Sequence, residues 1–249
     1  MIDALYSRYS LRKQKPLDPN YKPSDAIAGR RIINKQSKKL AVIFPGWHNH
    51  PEQVPVNRLV KRLRRKGWTV LVYDFHDQIL QPADRTVVES FHYIRDFIVD
   101  DLTATISASE YDEVRFISIS MGGVILALVA DRFPHFTGAT AAVGGDNLAI
   151  DMWHGMRTLV YAEEFQKMHL GVRKLAKEWY DLAPEHHLRH FKGKPVKLVM
   201  SKHDRFVLTE YQEKLKDQLE SVGADVKVKR HWPGHVLTVL MFAFFDSPL

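Results

Sequence analysis

Short apolar runs alternate with stretches in which apolar residues recur at helical spacing. The runs have the length and composition of strands that are buried on both faces of a sheet. They occupy residues 40–44, 68–73, 114–117, 138–143 and 195–200, and helical patterns cover 54–66, 87–108, 209–222 and the stretch from residue 121. Further strands are predicted at 26–34 and, with an edge strand's alternation, at 225–230. This order predicts an α/β fold with a mostly parallel sheet flanked by helices on both faces.

The chain divides into a short lead-in and one domain. Residues 1–25 are polar, basic and proline-containing, which predicts an extended or partly mobile segment. With 249 residues and 45% hydrophobic composition, the chain has enough material in residues 26–249 for one sizeable domain with a buried core. No stretch has the ~18 apolar residues of a membrane span, and the first residues lack the apolar core of a secretory signal. We therefore expect a soluble, cytoplasmic protein; the oligomeric state stays open.

Composition and charge exclude several kinds of site. The sequence has no cysteine, so disulfides, thiolate metal sites and cysteine nucleophiles are ruled out. The formal net charge is +7, and residues 1–66 hold 16 Lys or Arg against 4 Asp or Glu. Such a segment attracts nucleic acid, anionic membranes or an anionic substrate. The cations of residues 59–66 interleave with apolar residues, however, as on the solvated face of an amphipathic helix, so no nucleic-acid partner is predicted.

Residues 114–130 carry the strongest chemical signal. A β-prone run leads into the sequence SISMGG at residues 118–123, and an apolar helical pattern follows at once. A serine at a sharp strand-to-helix turn projects its hydroxyl clear of the sheet, and small neighbours let the strand and the helix approach each other. The first N–H groups of the helix point back at the serine and suit a developing oxyanion. Ser120 is therefore the candidate nucleophile.

A serine nucleophile needs a base, and the base needs a group that orients it. Asp204 follows the strand at 195–200, and His235 follows the last strand, so both fall at the same carboxyl edge of the sheet as Ser120. Asp146 also follows a strand and is the alternative acid, and His231 is the alternative base.

These residues resemble the motifs of the α/β-hydrolase family. The family's nucleophile elbow reads G-x-S-x-G, and residues 118–122 match it as S-I-S-M-G, with Ser118 in place of the first glycine. Asp204 matches the family's acid, and the sequence PGH that ends at His235 resembles its terminal glycine-histidine motif. The resemblance spans residues 38–245 and has the family's chain order Ser, Asp, His, which favours Asp204 over Asp146 as the acid.

The resemblance implies a role for each matched residue. Ser120 attacks the substrate carbonyl, His235 takes and returns the proton, and Asp204 orients the imidazole. The oxyanion is bound by the N–H of Met121 and by an N–H from the FPGW loop, for which Trp47 is our choice.

A helical cap is also implied. Residues 147–190 are rich in aromatic residues and Met and have no convincing strand pattern, and this is where the family inserts a small cap over its active site. The alternative interpretation is an ordinary pair of surface helices.

Other histidines form two groups that bear on metal binding. His48 and His50 flank an asparagine, and the spacing of His186 and His190 is compatible with one shared face of a helix. No helical pattern carries H-E-x-x-H, so no metal is predicted.

The sequence thus predicts a serine hydrolase that cleaves a carboxylic ester through an acyl-enzyme, without a cofactor. An apolar, aromatic cap predicts a small-molecule ester with an apolar acyl or aromatic group. Thioesterase and acyltransferase activities use the same triad and stay open, as does a non-catalytic binding protein of the same fold.

Overall fold

Seven strands form one sheet in the part of the chain that the structure describes. In this computed structural model the described residues are 20–33, 37–80, 86–156 and 158–248. The strands are β1 (Ile27–Ile33), β2 (Lys39–Phe44), β3 (Thr69–Phe75), β4 (Glu113–Ile119), β5 (Gly138–Ala142), β6 (Pro195–Ser201) and β7 (Asp225–His231). Each corresponds to a strand predicted from the sequence. Most of the predicted lead-in at 1–25, and Asn34 at the end of the first predicted strand, lie outside the described residues.

The sheet order is β1, β3, β2, β4, β5, β6, β7, which places β4 at the centre. Strands β2 to β7 run parallel to one another, whereas β1 pairs antiparallel with β3. In β7 half-buried and exposed residues alternate up to Lys229, and the strand lies at the edge, as its sequence predicted. The mostly parallel sheet is therefore confirmed. Because parallel strands all end at one edge, the loops after β2, β4, β6 and β7 meet there.

Helices cover both faces of the sheet, as predicted. They are α1 (Val54–Arg65), α2 (Thr86–Ala108), α3 (Gly122–Arg132), α4 (Leu148–His154), α5 (Leu159–Lys167), α6 (Val172–Glu178), α7 (Thr209–Ser221) and α8 (His235–Phe244). α1 and α8 bury Leu59, Leu63 and Phe242 against one face. α2 and α3 bury apolar residues such as Phe91 and Ile125 against the other. None of the described helices combines the length and the apolar character that crossing a bilayer requires.

The segment predicted as a cap is helical where it is described. It contains α4, α5 and α6 and three short 3-10 turns at Tyr180–Leu182, Pro184–His187 and Arg189–Phe191. His186 and His190 do not share a helical face, although their spacing allowed it, because the two histidines belong to separate 3-10 turns.

Candidate active site

Ser120 occupies a strained turn between the central strand and α3. β4 ends at Ile119, α3 begins at Gly122, and Ser120 has a positive φ of 52°, which a residue with a side chain rarely adopts. Two backbone hydrogen bonds hold the turn: Ser120 N–H donates to the carbonyl of Ala142 over 2.8 Å, and its carbonyl accepts from Gly123 N–H over 2.8 Å. Strain of this kind costs roughly 1–3 kcal/mol and is typical of functional sites.

Small residues allow the close packing around this turn. A Cβ atom on Gly122 would collide with the carbonyl oxygen of Phe44, so a side chain at this position is excluded. Ser118, which stands where the family's first glycine lies, is fully buried, and its hydroxyl has no hydrogen-bond partner in the described chain. The serine that replaces the family's first glycine therefore fits inside the sheet.

Asp204 and His235 meet at the sheet edge where Ser120 lies. Asp204 is in the loop after β6, and His235 is the first residue of α8. The Nδ1 atom of His235 lies 2.8 Å from Oδ2 of Asp204, and the hydrogen bond is buried. The other carboxylate oxygen of Asp204 accepts from the backbone N–H groups of Phe206 and Val207, over 2.8 and 3.0 Å. The carboxylate is thus fixed on one side by backbone donors and on the other by the imidazole.

Gln212 is a further member of this cluster that the sequence analysis missed. Its side-chain N–H group donates to Asp204 Oδ2 over 3.0 Å and to the carbonyl of Val207 over 2.8 Å. Its side-chain oxygen accepts from the N–H of Ser201 over 3.1 Å. The sequence pattern could have indicated this role. Gln212 lies on the buried face of α7 with Leu215 and Leu219, where a polar residue needs a partner.

The alternative acid and base lie in other surroundings. Asp146 is buried, its Oδ1 atom has no hydrogen-bond partner among the described residues, and burial raises its pKa to about 6. His231 pairs through Nε2 with Asp246 over 2.6 Å, in a buried contact between β7 and the segment after α8. The geometry therefore joins His235 to Asp204 and engages His231 with a different carboxylate.

A cavity of about 580 Å³ collects the predicted site residues. Ser120, His235, Met121 and Trp47 all line it. Most of the remaining wall is apolar, and it comprises, among others, Leu80, Val124, Leu148, Met152, Val239 and Leu240. The N–H of Met121, the residue directly before α3, has no protein acceptor in the described chain. One cavity wall therefore brings together Ser120, His235 and Met121.

The loop that carries Trp47 is tied to the turn after β3. The indole N–H of Trp47 donates to the carbonyl of Asp77 over 2.7 Å. The Nδ1 atom of His48 lies 2.5 Å from the Asp77 carboxylate. His50 contacts Asp74 over 2.7 Å and Asp77 over 3.2 Å. His48 and His50 therefore serve as partners of carboxylates, and within the described ranges no group of three or more metal-ligating side chains has the geometry of a metal site.

Comparison with known proteins finds similarity in structure and not in sequence. No protein-family model matches the chain, and no curated protein matches it. The esterase Pf2001 of Pyrococcus furiosus superposes with a TM-score of 0.61 at 15% identity, covering 93% of this chain and 90% of its own. Acetyl xylan esterase 1 of a Thermoanaerobacterium species gives 0.61 at 13% identity, with 96% and 91% covered. The acylaminoacyl peptidase of Pyrococcus horikoshii gives 0.64 at 14%, with 86% and 36% covered.

These similarities establish the class of fold. Esterases and a peptidase of the α/β-hydrolase fold match a chain whose sheet is mostly parallel with one antiparallel outer strand. The chain has the α/β-hydrolase fold. Because one fold hosts many reactions, the activity has to be argued from the site.

Proposed function

We propose that the protein is a serine hydrolase that cleaves a carboxylic ester through an acyl-enzyme. The observation that carries the proposal is the buried hydrogen bond between His235 and Asp204, in a site whose cavity is also lined by the strained Ser120. A carboxylate bound to Nδ1 leaves Nε2 of the imidazole as the basic nitrogen, which is the arrangement that activates a serine.

The proposed reaction has two steps. Nε2 of His235 removes the proton of Ser120 as Oγ attacks the ester carbonyl, and the N–H groups of Met121 and Trp47 bind the oxyanion. When the tetrahedral intermediate collapses, His235 returns the proton to the departing alcohol and the acyl group stays on Ser120. Water then attacks the acyl-enzyme with His235 again as the base, which releases the acid and restores the serine.

The walls of the cavity favour an apolar part in the substrate. The apolar side chains that line the cavity with Ser120 come from loops at the carboxyl edge of the sheet and from α1, α3, α4 and α8. Ligand pockets of this size bind mainly through such surfaces, and a few polar groups set the orientation. The esterases among the structural neighbours are consistent with this class of reaction.

The test compares wild type with Ser120→Ala on p-nitrophenyl esters of increasing acyl length, with a fluorophosphonate as covalent label. We expect wild type to hydrolyse the esters and to be labelled, and Ser120→Ala to lose roughly 10⁴-fold or more in kcat and to stay unlabelled. Ser118→Ala is the matched control, because Ser118 is the buried serine two residues earlier and its hydroxyl has no partner.

A folded wild-type protein that neither turns over nor reacts with the label would contradict the proposal. Labelling that persists in Ser120→Ala would do the same, because it would assign the nucleophile to another residue.

A further inference from the structure

One carboxyl group in the cavity wall has no part in the proposed reaction. Asp151, on α4, lines the same cavity as Ser120 and His235. Its neighbours on α4, Leu148 and Met152, belong to the apolar wall. An ionisable side chain in such a wall is costly unless something compensates its charge.

No described residue compensates Asp151. Its Oδ1 atom is buried and has no hydrogen-bond partner, and no Lys, Arg or His in the described ranges forms an ion pair with it. Space is nevertheless kept for the carboxylate, because a Cβ atom on Gly145 would collide with its Oδ2 atom. Gly145 lines the cavity as well. The wall thus has room for a carboxylate that the described protein leaves without a partner.

The charges around Asp151 also fail to compensate its carboxylate. Burial raises the pKa of Asp151 well above its ordinary value, and the nearby carboxylates of Asp146 and Asp204 raise it further. Apart from His235, the ionisable side chains among the described lining residues are those of Asp151 and Glu52, and no Lys or Arg is among them. A cation beside Asp151 would favour its ionised form and pair with it, whereas an anion would disfavour the ionised form further. The cavity therefore does not favour the anionic substrate that the basic N-terminal quarter suggested.

We propose that Asp151 binds a protonated amine of the substrate, so that the enzyme acts on esters with an ammonium group on an apolar chain. The inference rests on the proposed function and names its substrate class. An ammonium group supplies three N–H donors and a positive charge, which are what an unpartnered carboxylate lacks. The apolar wall accommodates the chain between the amine and the ester.

The first experiment compares three p-nitrophenyl esters of matched length: the 6-aminohexanoate, the heptanoate and the hydrogen adipate. They end in an ammonium group, a methyl group and a carboxylate. Each kcat/KM is divided by the ester's rate of hydrolysis in hydroxide, which removes differences in intrinsic reactivity. We expect the aminohexanoate to exceed the heptanoate by roughly tenfold or more, as for a charge-assisted hydrogen bond, and the adipate to be the poorest substrate. Equal values, or a preference for the heptanoate or the adipate, would overturn the proposal.

Two variants test whether Asp151 is responsible. Asp151→Asn keeps the shape of the side chain and removes the charge, and we expect it to reduce the preference to about twofold or less while the heptanoate is still hydrolysed. Glu52→Gln is the matched control, because Glu52 lines the same cavity but is half exposed and paired with Arg31. We expect it to retain the preference. If Asp151→Asn retains the preference, or Glu52→Gln abolishes it, the assignment to Asp151 is wrong.

A binding measurement separates this inference from the proposed reaction. Calorimetric titration of wild type and Asp151→Asn with hexylamine and with 1-hexanol requires no turnover. We expect hexylamine to bind wild type roughly tenfold more tightly than hexanol, and the difference to vanish in Asp151→Asn. Amine binding that depends on Asp151 in a protein without hydrolysis or labelling would refute the ester hydrolase and retain the amine site. Hydrolysis without amine binding would refute the amine site alone.

Discussion

The side-chain amide of Gln212 connects three parts of the loop that holds the predicted acid. It contacts Asp204 itself, the carbonyl of Val207 and the N–H of Ser201 at the end of β6. With a side chain that is almost fully buried, Gln212 uses both its donor and its acceptor inside the protein. We infer that Gln212 is a positioning residue, which acts by fixing Asp204 relative to His235.

At the scale of this residue, Gln212→Leu should lower kcat by roughly 10-fold to 100-fold, because a small displacement of the acid misaligns the base. KM should change little, since Gln212 does not line the cavity. The free energy of unfolding should fall by about 1–3 kcal/mol, because buried groups lose their partners. Gln218→Leu on the same helix is the control, since Gln218 donates to Glu185 instead. An unchanged kcat in Gln212→Leu would show that the amide has no positioning role.

At the scale of elements, three ion pairs join the loop after β2 to the end of β3 and the turn that follows it. Burial opposes a charge on His50, but its hydrogen bond to Asp74 and the charges of Asp74, Asp77 and Glu52 outweigh burial and raise its pKa. Burial likewise opposes a charge on Asp77, but the hydrogen bond from His48 and the positive charges of the neighbouring histidines lower its pKa. The raised pKa makes His50 stabilising below the unfolded value of about 6.5, an effect lost as pH rises through the folded pKa. Because its pKa is lowered, Asp77 stabilises the fold above its unfolded pKa, and this stabilisation is lost as the pH falls through the folded pKa.

Asp77→Asn should therefore destabilise the protein more at about pH 5.5 than at about pH 8.5, as measured by urea unfolding. Since the pKa of His50 is raised and that of Asp77 is lowered, the charged pair is more populated at the lower pH than at the higher pH. Asp225→Asn is the control, since Asp225 is exposed at the start of β7 and makes no ion pair within the described ranges. A loss of stability that is equal at both pH values would show that the ion pairs do not contribute.

At the scale of the whole molecule, the core residues that stabilise the fold are separate from the candidate site. The core lies around the centre of the sheet, and the candidate site lies at the carboxyl edge of the strands. Phe116 of β4 is fully buried and packs on the rings of Phe44, Phe133 and Phe136, at centroid distances of 5.3, 6.2 and 5.0 Å. It lies two residues before Ser118 in β4 and does not line the cavity. A core defect at this position should reduce the population of folded protein more than the reactivity of each folded molecule.

Phe116→Ala should lower the free energy of unfolding by about 3–5 kcal/mol, through lost burial and the cavity that remains. Fluorophosphonate labelling per folded molecule should stay within about twofold of wild type. The substitution leaves the carboxyl edge of the strands, where Ser120 lies, unchanged. Phe245→Ala, at a phenylalanine that is 78% exposed, should change stability by less than about 0.5 kcal/mol. A loss of labelling in the folded fraction of Phe116→Ala would mean that core and site are coupled.

Much of the fold follows from local pattern. The continuous apolar runs predicted the buried strands, and the alternation within residues 225–230 predicted the edge strand β7. The sequence SISMGG predicted the sharp strand-to-helix turn at Ser120, where the structure has a positive φ. These features depend on residues that are near one another in sequence, so periodicity and residue size are sufficient to detect them.

The tertiary structure decided which distant groups meet. The antiparallel pairing of β1 with β3, the pairing of His231 with Asp246, and the contact of Gln212 with Asp204 join positions 8 to 48 residues apart. Asp151 could not be singled out from the sequence, because its significance comes from the cavity it lines and from the partners it lacks. The sequence by itself determined the elements and the order of the candidate triad residues along the chain. Which acid joins which histidine was decided by the packing of strand ends at one edge, because a hydrogen bond depends on distances between side chains that sequence spacing does not determine.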